Sequence, residues 1–71
     1  MSLAWETTTE DIIIACRNNG EEVSEEQAEE ILGQLNTDKI EREALRGDDM
    51  LEQTKYAQIE IWEQIFDNDL L

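Results

Sequence analysis

From Asp48 to Leu71 the chain carries neither proline nor glycine, and this unbroken third of the sequence limits the folds open to it. Asp49-x-x-Glu52 is a capping signal, and a helix from there to about Asn68 is about 28 Å long at 1.5 Å per residue. In a chain of 71 residues such a helix is the largest element, and whatever else folds must pack on it. Asp67 and Asp69 oppose the dipole at its C-terminus, so the final turn is expected to fray.

At about 100° per residue Met50, Thr54, Ala57, Ile61 and Ile65 fall on one strip of this helix. Leu51, Ile59, Trp62 and Phe66 fall on an adjacent one, and the two together span roughly 200°. Gln58 lies between the strips, Lys55 inside the second, and Tyr56 at its outer margin. Glu52, Gln53, Glu60, Glu63 and Gln64 take the opposite side. The first strip suits a core. The second either is covered by shorter helices, with Trp62 as a core residue, or meets a second subunit or a target protein.

Three shorter helices are expected before it. In "TTTEDIIIACRNNG" the pair Thr7-x-x-Glu10 can form a capping box, and Asn18-Asn19-Gly20 can end the helix in a left-handed cap. Ile12, Ile13 and Cys16 share one face and Ile14 falls off it. The isoleucine run also suits a short buried strand, but no convincing strand partner follows. "VSEEQAEEILGQL" begins with Ser24 as N-cap, Gln27 three residues on, and a Val23–Ala28 staple; Ala28, Ile31, Leu32 and Leu35 then form one stripe. Gly33 sits off that stripe, at a helix-propensity cost of about 1 kcal/mol. In "NTDKIEREALRG" Asp38-x-x-Glu41 can cap, Ile40, Ala44 and Leu45 are the apolar side, and Gly47 is the stop. Lys39–Glu43 is an opposite-charge pair at i,i+4 and Arg42–Arg46 a like-charge one. The fold class expected is all-α, a small bundle of about four helices with a long C-terminal amphipathic helix. Residues 7–69 form one helical domain, 1–6 a flexible N-terminus in which Met1, Ser2 and Leu3 carry no functional weight, and 70–71 a frayed C-terminus.

A core this small contributes only about 3–5 kcal/mol of net stability, and small chains usually add disulfides, a metal or a partner subunit. With one cysteine, Cys16, and no histidine, the partner subunit is the easy supplement. Cys16 gives no disulfide framework, reads as a small buried core residue, and fits a reducing cytoplasm. No run of about 18 apolar residues spans a membrane, and the N-terminus lacks the basic and apolar regions of a secretory signal, so the expected location is cytoplasmic. Nineteen acidic residues against five basic ones give a formal charge of −14, which disfavours attraction to nucleic acid or an anionic membrane. Charged partners should be basic. A hydrophobic content of 39%, arranged periodically, distinguishes the chain from a disordered acidic one.

The acidity is concentrated. Glu21, Glu22, Glu25, Glu26, Glu29 and Glu30 line the start and outer face of the second helix. The last four carry one charge per roughly 2.3 Å of helix, against about 1.7 Å in duplex DNA. This ridge is either a solvated face that keeps the protein soluble or a mimic of a phosphate backbone offered to a basic protein groove. Aligning Gly20 with the glycine of an EF-hand loop leaves Ala15 and Arg17 at oxygen-ligand positions, so no such metal site is expected. Asp48, Asp49 and Glu52 read as charge at a helix N-terminus. No nucleophile–base constellation or phosphate loop is present, so neither catalysis nor a cofactor is expected.

The stretch "EALRGDDMLEQTKYAQIEIWEQI", about a third of the chain, resembles segments of short, uncharacterised acidic proteins of bacteriophages and plasmids. That resemblance implies a small accessory protein of a mobile element, a group in which inhibitors of host nucleases recur. The residues themselves lead to a non-catalytic protein-binding or regulatory factor that is homodimeric through its last helix, with Leu51, Tyr56, Ile59, Trp62 and Phe66 at the interface. The alternative is a DNA mimic acting through the glutamate ridge.

Overall fold

The computed structural model describes residues 5–71, so the expectations for Met1, Ser2 and Leu3 fall outside the described residues. Four helices follow in order: α1 (Thr9–Asn18), α2 (Glu25–Leu32), α3 (Thr37–Ala44) and α4 (Met50–Asp67). There is no strand among the described residues, and the fold is the all-α bundle expected. The run Ile12–Ile14 lies within α1, where its β-branched side chains are divided between the core and its margin.

Local chemistry sets each boundary. Thr8, not Thr7, opens α1, because its backbone N–H and hydroxyl both donate to Asp11, each at 2.9 Å. Three threonines in a row, followed by Glu10 and Asp11, offer the box in two registers one residue apart. The helix ends as expected, with Gly20 at φ 84°. Glu21 N–H donates to Cys16 O and Gly20 N–H to Arg17 O, the two bonds of a Schellman cap. Ser24 and Gln27 form the expected box at α2, with bonds of 3.0 and 3.1 Å.

α2 stops at Leu32, one turn short of the expected stripe, with Gly33 at its C-cap rather than inside it. Gly33 has φ −66° and ψ −15°, a conformation any L residue adopts, and an added Cβ would come no closer than 3.6 Å to Glu30 O. Gly33→Ala should therefore raise stability by about 0.4–1 kcal/mol, mainly by restricting the unfolded chain. Urea unfolding checks this, and a lowered midpoint would mean the next turn needs glycine. α3 is capped by Asn36, whose Oδ1 accepts from Lys39 N–H at 3.2 Å, and not by Asp38. Asp49 caps α4 as expected, accepting from Glu52 N–H at 2.9 Å. At the other end Leu70 N–H donates to Ile65 O and Asp69 N–H to Phe66 O, with Asp69 at φ 55°. That is a second Schellman cap, so the terminal turn is closed rather than frayed, and Leu70 packs on the core.

The core joins Ile12, Ala15 and Cys16 of α1 with Ala28 and Ile31 of α2, Ile40 and Ala44 of α3, and Ala57, Ile61 and Ile65 of α4. Val23, Leu32, Leu35 and Ile13 are half-buried around it. Trp5, within the segment expected to be a flexible N-terminus, is only 8% exposed and belongs to this core. α1 and α3 both pack on α4, and α2 packs on α1. Leu45 and Met50, assigned from periodicity to buried faces, are exposed instead. Both lie at the α3–α4 junction, where Gly47 brings the chain against the first turn of α4 and leaves no third helix to cover them.

Candidate protein-interaction face

The α4 side chains divide according to what flanks the helix. Ala57 and Ile61 are fully buried, and Ile59, two residues from each, points about 160° away from both at 100° per residue. One flank of α4, carrying Glu60 and Gln64, is covered by α3 and the loop before it. Gln64 Oε1 accepts from Asn36 N–H at 2.7 Å, and Gln64 Nε2 donates to Asn36 O at 3.2 Å and to Glu60 Oε2 at 3.0 Å. Lys39 Nζ lies 3.6 Å from Glu60 Oε2. Glu60 and Gln64 were expected on the solvent side, and both are buried. The expected Lys39–Glu43 pair does not form, since Lys39 turns to Glu60 and Glu43 pairs with Arg46 at 2.9 Å.

The other flank borders α1. Trp62 is half-buried there, packed against the core, and forms a wall of two shallow grooves of about 390 Å³ each. The first runs between Asn18 and Asn19 at the end of α1 and Lys55, Ile59 and Glu63 on α4. The second lies toward the C-terminus, between Glu21, Phe66 and Leu71.

Between these flanks none of the described residues packs over α4. Leu51 is 81% exposed, Phe66 74% and Ile59 50%. Tyr56 is at the margin of exposure, with the Arg46 guanidinium 5.6 Å from its ring centroid, a cation–π contact. The five side chains assigned from sequence to an interface thus lie along the outward side of α4, Trp62 being the one also tied to the core. Lys55 and Glu63 are exposed beside Ile59, and neither belongs to the two ion pairs found among the described residues.

The six ridge glutamates are all exposed. Glu25 accepts a hydrogen bond from the Thr9 hydroxyl at 2.6 Å, and Glu21 reaches the second groove. No group of three or more Cys, Asp or Glu side chains among the described residues could hold a metal ion. Cys16 is fully buried, and its thiol pKa is raised above the ordinary 9.0 by burial first and by the nearby Glu21 charge second. Both effects disfavour the thiolate, the opposite of what a nucleophile needs. No helix is long and apolar enough to cross a membrane among the described residues. No protein-family model matches the chain, and neither a curated protein nor a solved structure does. The outward face of α4 is therefore the feature on which a functional reading stands.

Proposed function

We propose that the protein is a small acidic, non-catalytic protein-binding or regulatory factor that self-associates through the outward face of α4. The observation supporting this is the exposure of Leu51, Ile59 and Phe66 on the side of α4 turned away from the core. Covering a side chain of that size is worth about 1.5–3 kcal/mol, comparable with the whole net stability of about 3–5 kcal/mol expected of so small a domain. A second copy therefore supplies what the single core lacks. Two bodies of charge −14 repel, so association should tighten as added salt screens them.

Sedimentation over a range of concentration and salt tests this reading. A dimer that strengthens with salt is expected, and Phe66→Glu should shift it toward monomer by roughly a hundredfold in Kd, about 2.7 kcal/mol. Phe66 is the side chain of choice because it is largely exposed, so its loss leaves the fold intact. A species that stays monomeric at high concentration and high salt overturns self-association.

The exposure of all six ridge glutamates favours a second reading, a DNA mimic that occupies the basic groove of a nucleic-acid-binding protein. Its salt dependence has the opposite sign. Binding to such a partner should weaken steeply with salt and be lost on charge reversal at Glu25, Glu26, Glu29 and Glu30.

A further inference from the structure

We propose that two copies pair antiparallel along α4, with Ile59 against the partner's Ile59 at a twofold axis and Lys55 ion-paired with the partner's Glu63 on either side of it. This rests on the self-association reading and specifies its geometry. Lys55 is the only basic residue of α4, in a chain with five basic residues against nineteen acidic, and it stands in the exposed sector that the apolar side chains need to bury. Neither of the two ion pairs among the described residues uses it, and neither uses Glu63.

The positions of these residues are self-complementary. Lys55 and Glu63 lie four residues before and after Ile59, so each is about 6 Å from it along the axis and turned about 40° to either side. An antiparallel twofold through Ile59 sets residues equally far before and after it opposite each other. Lys55 is then level with the partner's Glu63, and Glu63 with the partner's Lys55, each pair meeting diagonally across the seam through long side chains, so two opposite-charge pairs bracket an apolar centre. The same operation puts Trp62 level with the partner's Tyr56. It sets Phe66 level with the partner's Glu52, beside the partner's Leu51. The Glu52 carboxylate is already held by Asp48 N–H at 2.9 Å, which draws it toward the start of its own helix. A parallel twofold does the reverse, setting Lys55 against the partner's Lys55 and Glu63 against the partner's Glu63. Like charges facing across a closed interface select against that arrangement.

Charge exchange in the full chain tests this, because Lys55 and Glu63 are exposed and their replacement leaves the core untouched. By sedimentation, Lys55→Glu and Glu63→Lys should each weaken the dimer by about tenfold or more, and the double variant should return to within about threefold of the parent. Cross-linking gives an independent readout of direction. Leu51→Cys and Phe66→Cys variants, mixed and treated with a short thiol–thiol cross-linker, should join to each other, with the buried Cys16 out of reach. A monomeric parent overturns the self-association reading itself. A dimer whose double variant stays as weak as the single ones, or whose Leu51→Cys copies join to one another, leaves self-association standing and overturns the antiparallel register.

Discussion

Gly47→Ala should lower the thermal midpoint by roughly 10–20 °C, corresponding to about 2–3 kcal/mol in a domain of this size. Gly47 is buried where α3 gives way to α4, and a Cβ there would lie 2.5 Å from Gln53 N and 2.7 Å from Glu52 C. Both are backbone atoms of the first turn of α4, which cannot swing aside as a side-chain tip can. Relief requires moving the whole N-terminus of α4, where Asp49 caps Glu52 N–H and Glu52 binds back to Asp48 N–H. Gly20→Ala is the informative comparison. That glycine is in the left-handed region, and a Cβ there meets nothing within 4 Å. Its replacement carries backbone strain alone, about 1–2 kcal/mol. Calorimetry on both variants checks the order. Gly47, unlike Gly20, has no positive φ, so a loss no larger than that of Gly20→Ala would mean that the first turn of α4 shifts at little cost and that its close approach does not require glycine.

Gly47 also shows what could be read from the residues and what could not. A glycine after "EREALR" marks a helix end, and α3 ends shortly before it, at Ala44 with Leu45 as its C-cap. The sequence has no way to show that the requirement is space for a distant turn, because that contact exists only once α4 folds back. The same division runs through the molecule. Boundaries set within three or four residues were legible: Ser24 with Gln27, Asp49 with Glu52, and the Gly20 cap all stand as read. Those offering two registers came out one or two residues off, as at Thr8 and Asn36. The inner and outer strips of α4 were also legible, because a period of 3.6 residues separates Ala57 and Ile61 from Ile59 whatever packs around them. Periodicity could not say how far around α4 its neighbours reach. Glu60 and Gln64 are polar and lie outside the apolar arc, so composition places them in water. The α2–α3 loop passes over them instead, and only the backbone of Asn36 explains why a glutamine is there. Trp5 was missed for the converse reason, since a lone aromatic ahead of the first cap carries no periodic signal.

The second large effect is expected at Gln64. Gln64→Leu keeps most of the side-chain volume and should still cost about 2–3 kcal/mol, or roughly 10–20 °C in thermal midpoint. The amide binds both polar backbone groups of Asn36, accepting from its N–H and donating to its carbonyl, while also donating to the buried Glu60. Leucine removes all three bonds at once. Asn36 is itself the cap of α3, so slack in its backbone also loosens the Asn36–Lys39 bond that starts that helix. Glu60→Gln should be much milder, within about 1 kcal/mol, because a glutamine there can still accept from Gln64 and the ion pair it gives up reaches a largely exposed Lys39 at 3.6 Å. Gln64→Glu should be at least as harmful as leucine: it can accept from Asn36 N–H but cannot donate to Asn36 O, and it sets a second carboxylate beside Glu60. Denaturant unfolding of the three variants therefore has a required order, with Glu60→Gln the most stable and both Gln64 variants well below it. If Gln64→Leu unfolds with the parent protein, apolar packing of Ile40 and Ala44 alone holds α3 on α4, and the buried amide only satisfies groups that water would otherwise reach.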